Sequence, residues 1–301
     1  MDIEEFQIPV SWGHIAAKAY GNKKHPPVLL IHGWADNAGS FDKLIPFLPT
    51  TFYYICIDLP GHGRSSQFPP SLPFHTLNVV FLYKLIVDYL RRDKYIIIAH
   101  SWSIATTIIF TQLYPDTVSK LILLDPQYWL LVSADGFKEH VVEQLNNIIK
   151  LNSTPLQKTR RINTYAEAFK KIQDGGFGRN LDKEAVEALL KRSLIETEGG
   201  QFYFTNDLRL KVVPMNLMQT ERFFNDLIKM YPIECPVLAI VATKIPAPLR
   251  VIRTVSIINT IQKKNTKCVL KKVRGDHDIH MKQPKVVASL ISSFLNNQSK
   301  L

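Results

Sequence analysis

Ser101 stands in the run Ala99-His100-Ser101-Trp102-Ser103, between a short apolar stretch, Tyr95-Ile96-Ile97-Ile98, and a helix-like stretch from Trp102 to Tyr114. A serine on a sharp strand-to-helix turn is held with its hydroxyl projecting, as the nucleophile is in the pattern G-x-S-x-G. The residues two before and two after must be small, because strand and helix come close there. Ala99 and Ser103 are the next sizes up from glycine, so the steric demand is nearly met. Such a serine can attack a carbonyl and carry the acyl group, provided a base takes its proton and donors meet the oxyanion. His32-Gly33-Trp34 follows another apolar run, and its glycine lets the loop turn back over the serine. The backbone N–H groups of Trp34 and Trp102 are then the natural donors. The plain alternative is that Ser101 caps a helix. His32 reads as a structural loop histidine. Asp58-Leu59-Pro60-Gly61-His62-Gly63-Arg64-Ser65 reads as a structural turn, with Asp58 and His62 bonding within it.

These loops need a frame. Short apolar runs recur at Val28-Leu29-Leu30-Ile31, Tyr53 to Ile57, Tyr95 to Ile98, Val118 to Leu124, Pro236 to Val241 and Lys267 to Val273. Continuous apolar runs bounded by turns suit strands buried on both faces of a parallel sheet. His75 to Arg91 and Trp102 to Tyr114 carry apolar residues at helical spacing, so strands and helices alternate and the class is α/β. Glu5 to Val10 and Gly13 to Tyr20 alternate in polarity and suit an antiparallel edge. Residues 127–231 break the rhythm: Val186, Leu189, Leu190 and Leu194 recur with a helical period, and only Gln201 to Thr205 reads as extended. The expected organisation is a core of residues 1–126 and 232–301, with a mainly helical cap inserted over residues 127–231.

H-G-W at 32–34, D-L-P-G-H-G-R-S at 58–65, A-H-S-W-S at 99–103 and a late G-D-H at 275–277 occur in the order found in the α/β-hydrolase superfamily, which this chain resembles. The resemblance covers residues 1–126 and 232–301 and takes the insertion as a family-specific cap. Within the superfamily the chain is most similar to the serine hydrolase-like proteins, some of them peroxisomal. The resemblance implies a mostly parallel central sheet flanked by helices, and a general base in the loop after the last strand, just past a glycine. That position is His277, with His280 as its rival. Most members carry the orienting acid after the seventh strand, but Ala242-Thr243-Lys244-Ile245-Pro246-Ala247-Pro248 has no carboxylate. Some members place it after the sixth strand, where Leu121-Ile122-Leu123-Leu124 ends at Asp125. The expected acid is therefore Asp125; the competing reading is a turn cap. Asp276 and Asp278 would have to fold back onto the neighbouring imidazole.

The resulting expectation is a serine hydrolase acting on ester or thioester bonds, using no metal and no organic cofactor. Alkyl-halide and epoxide chemistry is disfavoured, since those relatives use an aspartate where Ser101 stands. Trp34, Trp102, Tyr128 and Trp129 fall at loop positions beside the site and would make an apolar substrate pocket. A peroxisomal acyl-CoA thioesterase is one narrower form. A binding protein that has lost catalysis is the alternative class, kept open by the altered elbow glycines and the displaced acid.

The chain has 301 residues with 37 basic and 26 acidic groups, a net charge of +11. Residues 232–301 hold 12 basic against 3 acidic groups, notably Lys263, Lys264, Lys267, Lys271, Lys272 and Arg274. These read as a solvated face, or as a patch for anionic ligands. No basic-aromatic module suggests nucleic acid. Cys56, Cys235 and Cys268 are too scattered for a disulfide framework or zinc site. No apolar run is long enough to span a membrane, and the acidic start, Met1-Asp2-Ile3-Glu4-Glu5, lacks a secretory signal. Ser299-Lys300-Leu301 is the address read by the peroxisomal import receptor. A peroxisomal and secondarily cytoplasmic location is expected.

Overall fold

The computed structural model describes residues 1–69, 75–126, 137–153, 161–175, 179–211, 221–244 and 255–296. Strands β1 (Ile3–Val10), β2 (Gly13–Tyr20), β3 (Pro27–Ile31) and β4 (Tyr53–Ile57) lead to helix α1 (Thr76–Leu90), β5 (Tyr95–His100), α2 (Ser103–Leu113) and β6 (Val118–Leu124). Then come α3 (Phe137–Ser153), α4 (Tyr165–Gln173), α5 (Lys183–Ser193), the short pair β7 (Leu194–Glu196) and β8 (Phe202–Phe204), and α6 (Glu221–Met230). The chain continues with β9 (Val237–Ala242), α7 (Val255–Lys264), β10 (Cys268–Val273), α8 (Ile279–Lys282) and α9 (Pro284–Asn296).

One sheet runs in the order β1-β2-β4-β3-β5-β6-β9-β10. Its β1–β2 and β2–β4 pairs are antiparallel, and every other neighbour is parallel. The central strands β3, β4, β5 and β9 are buried at every residue, which is why they read as unbroken apolar runs rather than alternating ones. Alternate side chains divide between two cores. Leu29, Ile31, Ile97, Ala99, Leu121 and Leu123 meet α1, α2, α6 and α7 on one face. Val28, Leu30, Ile96, Ile98, Ile122 and Leu124 meet the segment 38–48 and α9 on the other. Each fully buried Ile or Leu adds roughly 1.5–3 kcal/mol over leaving it in water. The frame is thus stiff enough to hold strained backbone where β5 and β6 end.

The α/β-hydrolase fold expected from the motifs is present. Two local readings change. Leu194, read as the last helical position of the insertion, begins β7: α5 ends there, Leu194 pairs with Phe204, and Gly200 at φ +69° sits in the connecting turn. The helical spacing misleads because Leu194 still packs on the insertion's own apolar cluster, with Val186, Leu189 and Leu190. Second, α6 lies inside 127–231, yet Phe224 and Ile228 sit in the sheet's core rather than in the insertion's cluster.

Four of the basic residues in 232–301 have structural explanations. β10 is an edge strand, and its exposed Lys271 and Lys272 discourage pairing with another chain's strand. Lys263 and Lys264 occupy the last turn of α7, where cations suit the helix dipole. The three cysteines are free thiols, and burial pushes Cys235 and Cys268 up to about 12. Among the described residues no helix is long and apolar enough to cross a membrane.

Candidate active site

Four loops converge beyond the carboxyl ends of β3, β5, β6 and β10, the usual edge for ligands in such sheets. β5 ends at His100, and Ser101 turns the chain with φ +58° before α2 begins. A non-glycine residue rarely adopts that conformation, and it persists because its surroundings fix it. Ser101 N–H donates to Leu124 O at 3.1 Å. Ser103 is buried where a glycine is usual, and its hydroxyl lies 2.8 Å from His100 O and 3.2 Å from Ile31 O. The side chain at this position thus helps close the turn.

Asp125 repeats the device one strand over, at φ +45°. Its N–H donates to Ile240 O at 2.7 Å, and its Oδ1 accepts from Ala242 N–H at 2.8 Å, so the residue extends the β6–β9 ladder. Its Oδ2 lies 2.8 Å from His277 Nδ1, and His277 Nε2 lies 2.8 Å from Ser101 Oγ. A carboxylate only accepts, so the proton sits on Nδ1, and Nε2 is left to accept from the serine hydroxyl. Ser101, His277 and Asp125, scattered along the sequence, thus form one continuous chain of hydrogen bonds.

His280 has a different setting. Its ring is fully buried beside His100 (centroids 4.2 Å) and Phe41 (5.6 Å), and neither nitrogen has a partner among the described residues. Burial pushes it down to about 3, so it is neutral across the physiological range. His100 is also held well below its ordinary value, by burial first and then by its two histidine neighbours. His100 Nε2 lies 3.3 Å from His277 O, within reach to steady the His277 loop. Asp276 pairs with Lys282, and Asp278 with Arg179, so neither serves the imidazole.

The loop after β3 lies against the elbow. A Cβ on Gly33 would stand 2.9 Å from His100 Nδ1 and 3.0 Å from Ser101 Cβ, so only glycine fits. His32 donates from Nδ1 to Gly33 O at 2.7 Å and accepts at Nε2 from Leu59 N–H at 2.9 Å. His62 accepts from Ala35 N–H at 3.1 Å, which ties the D-L-P-G-H-G turn to the same loop. Asp58 reaches beyond its turn to Arg192 on α5, at 2.8 Å.

Trp102 N–H opens the first turn of α2 and has no acceptor among the described residues. Its indole, however, is 2 % exposed and part of the core, so the pocket wall expected of Trp102 is not formed by that ring. Trp34 packs on it (centroids 4.9 Å) and donates from Nε1 to Leu210 O at 2.9 Å. Tyr128 and Trp129, the other expected wall residues, lie outside the described residues, as do Ser299, Lys300 and Leu301. Arg179, which joins Asp36 to Asp278, had no signal in the sequence pattern.

A family model described as alpha/beta hydrolase fold matches residues 26–163. Serine hydrolase-like protein 2 of Homo sapiens is 31% identical over 306 residues, an alignment spanning 97% of this chain and 94% of the relative. A hypothetical protein of Pseudomonas aeruginosa superposes with TM-score 0.82 at 22% identity, covering 97% of this chain and 99% of that one. The thioesterase domain from the curacin biosynthetic pathway gives TM-score 0.78 at 18% identity, covering 97% and 99%. At these identities the two structures speak for the fold.

Proposed function

The chain belongs to the α/β-hydrolase family, and from that premise we propose that it is a serine hydrolase cleaving carboxylic ester or thioester bonds of an apolar, lipid-derived substrate. The observation that carries this reading is the unbroken path Ser101 Oγ–His277–Asp125, with both contacts at 2.8 Å.

Ser101 Oγ attacks the carbonyl carbon while its proton passes to His277 Nε2. Asp125 holds the ring in the tautomer that leaves Nε2 open, and stabilises the imidazolium once formed. The carbonyl oxygen, now an oxyanion, accepts from the N–H groups of Trp102 and Trp34, both on backbone fixed before substrate arrives. The tetrahedral centre collapses, and His277 gives its proton to the departing alkoxide or thiolate. Water, deprotonated by the same imidazole, then attacks the acyl-serine and releases the acid and Ser101. The steps use only these side chains and one water. An apolar substrate is favoured by the partly exposed Trp34, which packs on the ring of Trp102, the residue after Ser101. Thioesters are included because an acyl-serine forms from either kind of carbonyl, and because the tail Ser299-Lys300-Leu301 would place the protein among acyl-CoA substrates.

A fluorophosphonate probe tests the nucleophile. Wild type should label and Ser101→Ala should not. Graded p-nitrophenyl esters and acyl-CoAs then find the acyl length and leaving group. A well-folded protein that neither labels nor turns over any ester or acyl-CoA supports the binding-protein reading instead.

We further propose that Ser299-Lys300-Leu301, where they end the chain, direct it to peroxisomes through the import receptor. A fluorescent protein fused ahead of the intact tail should become punctate with a peroxisomal marker, and removal of the three residues should leave it diffuse. A diffuse signal with the tail intact refutes the address.

A further inference from the structure

Asp36 and Asp278 stand on the two loops that flank Ser101. Asp36 lies three residues past Gly33, and Asp278 directly follows His277. Both carboxylates are buried, with side chains 4% and 5% exposed, and both meet the same cation, the guanidinium of Arg179. Arg179 Nη2 is 2.7 and 2.8 Å from the two oxygens of Asp36. Its Nε and Nη2 reach the two oxygens of Asp278 at 3.0 and 2.9 Å, the bidentate fork that only arginine makes. Arg179 belongs to neither loop. It comes from the inserted segment, between α4 and α5.

Its backbone is held as well. Lys282 donates to Arg179 O at 2.8 Å and pairs with Asp276, so both neighbours of His277 connect to residue 179. Between these contacts α8 sends Ile279 into the sheet core and Met281 into the insertion's apolar cluster. The segment after the imidazole is thus a joint between insertion and sheet.

We propose that Arg179 is a positioning residue for the acyl-transfer reaction: supplied by the insertion, it fixes the spacing between the His277 loop and the Gly33–Asp36 loop, so that base and oxyanion donors align only while the insertion is seated. This inference rests on the serine-hydrolase reading above and adds to it how the site is assembled. Without the cation, two buried carboxylates confront each other and the loops part. Displacing a reacting group by an ångström costs on the order of 100-fold in rate. Burial drives the Asp278 carboxyl up, but the charge and hydrogen bonds of Arg179 outweigh it and hold the group at about 2.

The test compares Arg179→Gln and Arg179→Lys with wild type on an ester that wild type hydrolyses, scaling rates to the sites labelled by fluorophosphonate. Arg179→Gln should lower kcat per labelled site by about 100-fold, with KM within about threefold. Adding Asp36→Asn to Arg179→Gln should restore part of kcat, because the repulsion is gone. Arg179→Lys keeps a charge but no fork, so it should fold even if the glutamine variant does not, and still lose at least about tenfold in kcat. A kcat within twofold of wild type in the folded variants, or no gain in kcat from adding Asp36→Asn, overturns the proposal. Wild type that neither labels nor turns over fails the serine-hydrolase reading itself, and this inference falls with it.

Discussion

Asp125 accepts from the backbone N–H of Ala242 at 2.8 Å, across the β6–β9 edge, and this contact orients the acid at its unusual place in the chain. One oxygen is spent on the sheet and the other on His277, so the carboxylate cannot swing away. Asp125→Asn should keep the fold but put a donating amide nitrogen where Oδ2 accepts, and so favour the tautomer with Nε2 protonated. Ester turnover should fall by about 10⁴-fold, with little change in thermal stability. Steady-state kinetics beside a melting curve decide it, and near-normal turnover would refute the role.

The same contact explains what could be read ahead of the structure and what could not. Ser101 and Asp125 follow largely buried strands, which leave apolar runs in the sequence, and His277 follows the edge strand β10, whose shorter run from Lys267 to Val273 could still be read. Their meeting then follows from the sheet, because parallel strands put all three loops on one edge. The loop after β9 carries no carboxylate, and the resemblance to α/β-hydrolases that hold the acid after the sixth strand implied Asp125. Arg179 and Arg192 left no such trace. Each binds carboxylates 99 to 187 residues away, and no local period marks a long-range ion pair. The same holds for α6, whose amphipathic pattern says only that one face is buried, not that the sheet rather than the insertion buries it. Trp102 misled differently: an aromatic next to a nucleophile looks like a pocket wall, yet the elbow geometry turns its ring into the core.

His280 gives a pH dependence of stability whose sign follows from its burial. In the unfolded chain it titrates near the ordinary 6.5, whereas the folded protein holds it at about 3. Between those values the unfolded state binds a proton that the folded state refuses. Stability therefore declines as pH falls through that window and is undiminished above it. His280→Phe keeps a ring beside Phe41 and His100 and removes the proton site. The fall in Tm from pH 7 to pH 4.5 should be smaller in the variant than in wild type, though not abolished, since His100 is held low in the same way. Melting curves at the two pH values measure it. Equal losses in both proteins would count against the assignment.

Arg192 joins the insertion to the sheet at a second point, and there the expected effect is on stability rather than rate. Its side chain is 2% exposed and Asp58 is 0% exposed, with Nη2 and Oδ2 2.8 Å apart, while Nη1 reaches Glu5 at 2.8 Å. Removing one partner of a buried pair strands the other charge, which typically costs about 3–5 kcal/mol. Asp58 would keep the N–H groups of Ala38 and Arg64, at 2.7 and 2.9 Å, so Arg192→Met should fall at the low end, about 3 kcal/mol. Adding Asp58→Asn should recover part of that loss, because no buried charge then remains unpaired. Equilibrium urea unfolding of the single and double variants gives both numbers. A loss under about 1 kcal/mol, the size expected of an exposed pair, would mean that the clasp opens readily and water reaches Asp58. The Asp58 end of the insertion would then be loosely seated, leaving the grip of Arg179 on Asp36 and Asp278 to hold it.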